Sequence, residues 1–290
     1  MGLGGRLFIC GLGYTAKVIA RDLATDGWQV AGTTRTAESR AKLMAAGFEA
    51  YVHGPDAPLD PETPALRDAT HLLATAAPDA GGDPFLAAFG RAIDGRAGLV
   101  WTGYLSTTGV YGDLGGGEAD ETTPLKPTSE RSHRRVLAER QWQAIRPAAH
   151  VFRLPGIYGP GRNALQQIVD GRARRILKPG HRFSRIHVDD ISQAVRAAMA
   201  RPTPGAVTNV IDDLPAESAD VLAYAALLLG RPVPKGVPFA EAELSTMAKS
   251  FYDDNKTVSN ARMKRELGIA LRYPTYRQGL QALLADYSAG

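Results

Sequence analysis

Residues 6–23 read RLFICGLGYTAKVIARDL. The apolar run Leu7 to Cys10 ends at Gly11, and a second glycine follows at Gly13. Beyond the glycines, Ala16, Ile19 and Leu23 recur on one helical face until the pattern stops at Gly27. A short apolar run bounded by glycine predicts a strand buried on both faces, and the three-to-four spacing predicts an amphipathic helix. The join, GLGYTA at 11–16, fits G-x-G-x-x-A. Gly11 permits the tight turn, Gly13 lets the main chain approach a diphosphate, and Ala16 is small enough for the helix to pack closely on the strand. The free amides and positive dipole end of the helix complete an anion site. Glycines also close ordinary turns, so it is the position after the first strand that favours dinucleotide binding. Gly11, Leu12, Gly13, Tyr14 and Thr15 are the candidate contacts.

Outward from this stretch, strand-like and helix-like segments alternate. Strands are expected at 6–10, 28–33, 48–52, 71–75, 99–105 and 150–153, with helices at 14–26, 37–46, 84–94 and 129–145. Such alternation implies an α/β chain with a doubly wound parallel sheet covered on both faces. Later segments are less regular, with helices expected at 163–170, 191–200, 219–229, 241–248 and 260–267 and short strands at 185–188 and 207–210. The division this implies is a nucleotide-binding domain of residues 1–160 with 186–213, and a smaller C-terminal lobe of 161–185 with 214–290.

Composition excludes several classes. Of 290 residues, 44% are hydrophobic and 22% charged, an ordinary globular balance. No apolar run approaches the roughly 18 residues of a membrane span. The four-residue run near the N-terminus is too short for a signal-peptide core. Gly2 fails as a myristoylation site because Arg6 stands where Ser or Thr is required. One cysteine excludes an internal disulfide, and a reduced, cytoplasmic setting is expected, with Cys10 serving as core packing. The net charge of +4 does not by itself imply nucleic acid. The basic excess is local: Arg172, Arg174, Arg175, Lys178, Arg182 and Arg185 fall in fifteen residues without an acid. This stretch is either a solvated face or a patch for an anionic ligand. With Phe183 as its one aromatic and no recognised nucleic-acid module in the chain, a nucleic-acid partner is disfavoured.

An NAD site places Asp or Glu at the end of the second strand, on the ribose 2′-hydroxyl. Here that place is GTTRT, residues 32–36, and no acid occurs until Glu38. A carboxylate would repel a 2′-phosphate, whereas the planar fork of Arg35 pairs with one. NADP is therefore expected over NAD, with Thr34 and Arg35 as contacts. The competing reading is a solvated arginine after a strand.

Three further segments follow in order: YLSTTGVYGD (104–113), FRLPGIYGPGR (152–162) and SRIHVDDI (184–191). Together with GLGYTA they resemble the extended short-chain dehydrogenase/reductase superfamily, in its NAD-dependent epimerase/dehydratase group, over nearly the whole chain. The resemblance implies a Rossmann-type domain carrying NAD(P) and a smaller C-terminal substrate-binding lobe, often for a nucleotide sugar. It implies that Thr107, three residues before Val110, hydrogen-bonds substrate. It also implies a Tyr-x-x-x-Lys pair on the next helix. Aligning Pro127 and Glu139 puts Arg131 at the tyrosine and Arg135 at the lysine, which departs from the family. An arginine stays charged at neutral pH and cannot act as acid or base. Arg135 retains donors for the ribose, and Arg131 can clamp or polarise an anionic substrate. Alternatively both arginines face water in i,i+4 pairs such as Glu130–Arg134 and Arg135–Glu139, each worth ~0.3 kcal/mol.

The resemblance further implies cofactor contacts from Ala76 and Ala77 after the fourth strand and from Pro155 beside the nicotinamide. On the substrate side it implies Tyr111, Tyr158, Arg162, Arg185 and His187. Tyr104, Tyr111, Tyr158 and His187 are proton donors by type, without a spacing argument. Many sugar-processing relatives have Asn at the position of Gly156, so the nucleotide-sugar assignment is in doubt. Asp189 and Asp190 lack histidines at metal spacing and are expected to cap the helix near Ile191 rather than bind metal. The loop 112–128, GDLGGGEADETTPLKPT, is either a lid over the pocket or a plain connection. The expected function is thus an NAD(P)-dependent oxidoreductase or epimerase/dehydratase-like enzyme for a small anionic or sugar-like substrate. The alternative is a redox-inactive NADP-binding sensor or regulator. A homodimer through the helix bearing Arg131 is a further implication of the resemblance.

Overall fold

The computed structural model describes residues 4–287, so Gly2 lies outside the described residues. In chain order the elements are β1 (Arg6–Cys10), α1 (Tyr14–Thr25), β2 (Gln29–Thr34), α2 (Ala37–Ala45), β3 (Glu49–Val52), α3 (Pro64–Arg67), β4 (His71–Ala74), α4 (Pro84–Ile93), β5 (Trp101–Thr107), β6 (Glu118–Ala119), α5 (Glu130–Ala144), β7 (His150–Leu154), β8 (Gly156–Tyr158), α6 (Ala164–Val169), β9 (Arg175–Leu177) and β10 (Arg185–His187). The chain continues with α7 (Val188–Ala200), β11 (Val207–Asn209), α8 (Ser218–Leu228), β12 (Gly236–Pro238), α9 (Thr246–Ser250), β13 (Thr257–Val258), α10 (Ala261–Leu267) and α11 (Tyr276–Leu283).

These elements form two compact units. The first comprises residues up to Thr107 with 131–153 and 191–208, and the second comprises 108–130, 154–190 and the chain from Asn209 onward. Residues 108–130, 154–160, 186–190 and 209–213, grouped with the nucleotide domain in the sequence-based division, cluster with the second unit.

In the first unit the chain builds a seven-stranded sheet of order β11-β7-β5-β4-β1-β2-β3. β1 pairs in parallel with both β2 and β4, so the strand order reverses beside β1. β1 is central because Leu7, Phe8, Ile9 and Cys10 are all buried, as the unbroken apolar run demands. α1 lays Ala16, Ile19, Ala20 and Leu23 on the sheet. Beneath the sheet, Trp142 stacks on Tyr104 (centroids 6.4 Å apart) and on Phe85 (6.5 Å). A buried ion pair ties α5 to β7: Arg153 Nη2 lies 2.8 Å from Glu139 Oε2, and the Ser106 hydroxyl donates to Glu139 Oε1 at 2.5 Å.

The second unit has three short parallel strand pairs, β8–β10, β9–β12 and β6–β13. Its core joins Tyr158, Leu165, Ile168, Leu222, Ala225, Tyr276 and Leu280. Gly279 is required there, since a Cβ would stand 2.1 Å from the Tyr158 hydroxyl. The helix expected over 241–248 is displaced to 246–250, because the Ser245 hydroxyl caps it by accepting from Ala248 N. Asp190 does not cap α7, which starts at Val188. Its carboxylate is buried and accepts from the Arg272 and Tyr273 amides at 2.7 and 3.1 Å. The loop 112–128 is fastened along its length: Asn255 O accepts from Leu114 N and Gly116 N, and the Thr128 hydroxyl donates to Asp254.

Candidate functional site

At the carboxyl ends of β1, β2 and β4 the first unit opens a cavity of about 740 Å³. It lies where the strand order reverses, the usual ligand crevice of an open parallel sheet. The glycine turn is built into its wall. Gly11 has φ +105°, and its amide donates to the Thr33 hydroxyl at 2.9 Å. The Thr75 hydroxyl donates to Gly11 O at 2.5 Å, and the Thr75 and Ala76 amides both reach Cys10 O. These bonds hold the ends of β1, β2 and β4 together around the turn. Gly13 differs: its backbone is extended, and a Cβ there would meet nothing within 4 Å. It faces open space at the start of α1, whose first turn no side chain caps. That combination suits a diphosphate: a bare main-chain cradle beside a helix N-terminus.

The cavity gathers Gly11, Leu12, Gly13, Thr34, Arg35, Ala76 and Ala77 of the expected cofactor contacts. Tyr14 and Thr15 begin α1 beside them. Arg35 is exposed at the cavity edge and, among the described residues, makes no hydrogen bond or ion pair. Thr36 and Ser39, which sequence reasoning passed over, line the same edge, with the Thr36 hydroxyl capping α2 by accepting from Ser39 N. The signal was present, because Thr36 precedes the first helical residue after a strand. His53, at the end of β3, also lines the cavity. Its ring packs on Phe89 (4.9 Å), and burial lowers its pKa.

Arg135 points inward from α5. Its Nη1 donates to Leu105 O at 2.8 Å, to the Tyr104 hydroxyl at 3.1 Å and to Ala76 O at 3.5 Å. The expected alternative, a solvated Arg135–Glu139 pair, is not formed, because Glu139 is buried and taken by Arg153 and Ser106. Arg131 is exposed on the first turn of α5, and Thr107 is the half-buried last residue of β5. Tyr104 is fully buried, and desolvation pushes its hydroxyl up to about 12, which excludes it as an acid near neutrality. Cys10 is buried with its thiol pushed up by desolvation, so it is an inert core residue.

The second unit has its own cavity, of about 340 Å³. Tyr158, Arg162 and Arg185 line it, together with Gln167, Ser218 and Tyr276, which sequence reasoning had not singled out. Pro155 does not line this cavity. Tyr111 and His187 sit in the packed interior instead. The Tyr111 hydroxyl donates to Asn209 Oδ1 at 2.7 Å, and the His187 ring packs against Tyr158 and Tyr273. Burial lowers the His187 pKa to about 4. The basic stretch is mostly consumed within this unit. Arg172 pairs with Asp170, Arg174 donates to Glu243 O, Arg175 to Ala219 O and Lys178 to Tyr252 O.

A doubly wound parallel sheet with a glycine turn and an uncapped helix at its reversal point defines a Rossmann-type nucleotide-binding protein. Residues 96–211 match the model of the NAD dependent epimerase/dehydratase family. A structure from Silicibacter pomeroyi, described as a functionally unknown conserved protein, is 52% identical with a TM-score of 0.90, covering 97% of this chain and 99% of that one. A Methylobacillus flagellatus structure, assigned provisionally as an NAD-dependent epimerase/dehydratase, is 26% identical with a TM-score of 0.71 over 99% of both chains. Protein YeeZ of Escherichia coli K12 is 29% identical over 93% of this chain and 96% of its own length. The matched segment and the fold make the chain an epimerase/dehydratase-like protein of Rossmann type, with arginines at 131 and 135. No helix among the described residues is long and apolar enough to cross a membrane.

Proposed function

We propose that the chain binds NADP and acts as an oxidoreductase or epimerase/dehydratase-like enzyme on a small anionic or sugar-like substrate. The observation that carries this reading is the cavity around GLGYTA, with the bare main chain of Gly13 at its wall and Arg35 unpartnered at its edge. The α1 amides at Tyr14 and Thr15 hold the diphosphate, and Gly13 lets it approach. Thr34 and Arg35, with Thr36 and Ser39, hold the 2′-phosphate. Ala76 and Ala77 border the adenine-side ribose. Arg135, fixed by the ends of β4 and β5, offers its remaining donors to the second ribose. Bound NADP supplies the hydride donor or acceptor. Thr107 orients the substrate and Arg131 binds its charge. Neither arginine exchanges a proton, so these residues position groups and stabilise charge.

The same two cations favour a second reading, a redox-inactive NADP-binding sensor, because the usual proton relay is missing. A cytoplasmic location and a homodimer through α5 complete the proposal. Fluorescence titration with NADPH and NADH tests it. NADPH is expected to bind more tightly, and Arg35→Ala to weaken it by about 10- to 150-fold, for the loss of a charge-assisted hydrogen bond of about 1.5–3 kcal/mol. A preference for NADH that is indifferent to Arg35→Ala overturns the NADP assignment. A change in nicotinamide absorbance on any of a panel of sugars, aldehydes and keto acids separates the enzyme from the sensor.

A further inference from the structure

We infer that the cavity of the second unit is a receptor for the carboxylate of a small, non-nucleotide ligand, clamped by Arg185. The inference deepens the proposed function, and it rests on that reading only in taking the ligand to be the substrate. The cavity, at about 340 Å³, lies near the lower end of the roughly 300–1,000 Å³ typical of ligand pockets, a size that suits a sugar acid better than a nucleotide sugar.

Arg185 is partly buried on β10. Its Nη1 donates to Phe183 O at 2.8 Å and to Ala216 O at 2.9 Å, which fixes the plane of the guanidinium. Its Nε and Nη2 make no hydrogen bond, and no carboxylate among the described residues forms an ion pair with it. Asp212, the acid whose charge acts on it most, is pushed by burial up to about 7 and so is only partly ionised at neutral pH. A guanidinium withdrawn from water without a full counter-charge is costly, and an entering anion relieves that cost. The free edge presents the Nε and Nη2 donors side by side, matching two oxygens of one carboxylate. The charge count points the same way. Of the other two arginines of this cavity, Arg172 is paired with Asp170 and Arg162 is exposed, so Arg185 is the inner cation. Ser218 opens α8 at the cavity wall, and no side chain caps that helix, so its positive end faces the same space.

The test uses the full chain at constant ionic strength. Acetate, glycerate and gluconate are titrated calorimetrically beside glycerol and glycerol 3-phosphate, in the native chain and in Arg185→Lys, which keeps the charge and loses the fork. At least one carboxylate is expected to bind saturably and at least tenfold more weakly to the variant, while glycerol does not bind. In case the variant misfolds, the native chain labelled with ¹⁵N-arginine is titrated in parallel, and the Arg185 Nε–H resonance is expected to move with the bound carboxylate. The inference is overturned if all three carboxylates fail to bind. It is also overturned if they bind without a response at Arg185, or if glycerol 3-phosphate displaces glycerate as the tighter Arg185-dependent ligand, which would mark a phosphate site. NADPH titration of the same samples separates the two readings. Carboxylate binding without NADPH binding sinks the cofactor assignment and leaves this site standing, and the converse sinks this site alone.

Discussion

Gly11 and Gly13 lie two residues apart in one turn, yet they answer to different demands, and alanine at each separates fold from ligand. Gly13 has φ −83° and ψ −164°, an ordinary conformation for an L-residue, and a Cβ there meets nothing within 4 Å. Gly13→Ala restricts the unfolded chain, worth about 0.4–1 kcal/mol of stability. Alanine is a poorer helix N-cap than glycine by roughly the same amount. The two effects cancel to within about 0.5 kcal/mol, so urea unfolding should barely change. The new methyl, however, stands where the main chain is expected to meet the diphosphate. Losing one charge-assisted hydrogen bond costs about 1.5–3 kcal/mol, so NADPH affinity should fall about 10- to 150-fold. Gly11→Ala should do the reverse. At φ +105°, with its Cβ 3.1 Å from Ala76 N, the strain is paid in folding, at about 1–3 kcal/mol. NADPH fluorescence and urea denaturation of both variants complete the experiment. If Gly13→Ala folds normally and binds NADPH within twofold of the native chain, the turn is not a phosphate cradle and the cofactor reading fails.

Glu139→Ala removes the carboxylate that Arg153 pairs with in the core and the acceptor of the Ser106 hydroxyl, and should destabilise by about 3–5 kcal/mol in urea unfolding; a cost under 1 kcal/mol would show that the ion pair is not holding α5 to β7. Asp212, raised from 3.8 to about 7, favours the folded state most fully below pH ~4 and loses that contribution as the pH rises through 7, because the native fold then holds a buried carboxylate. Asp212→Asn keeps the acceptor for Leu214 N and should stabilise at pH 8, by up to about 4 kcal/mol at 1.36 kcal/mol per pH unit, with the gain shrinking toward pH 5; a gain that is flat across that range would contradict the assignment.

The residues that disclosed the fold are those whose demands are local. Leu7 to Cys10 announce a doubly buried strand because no other common element is so short and uniformly apolar, and Gly27 and Gly47 mark where α1 and α2 end because each carries a positive φ. Three residues are too few to display a period of two, and of the five strands of that length the sequence pattern announces β10 and β11 but not β8, β9 and β12. Charge was legible only as charge. Helical spacing offered Glu139 to Arg135, but spacing cannot weigh Arg153, fourteen residues on, against Leu105 O and Ala76 O, thirty and fifty-nine residues back. The basic stretch shows the same blindness. Arg172 and Arg185 are indistinguishable there, yet the fold gives one a carboxylate two residues away and the other only two main-chain carbonyls. A carbonyl orients a guanidinium without cancelling its charge. A candidate anion site is therefore recognised by the cation whose donors the fold has aimed but not neutralised, and that property belongs to the tertiary structure alone.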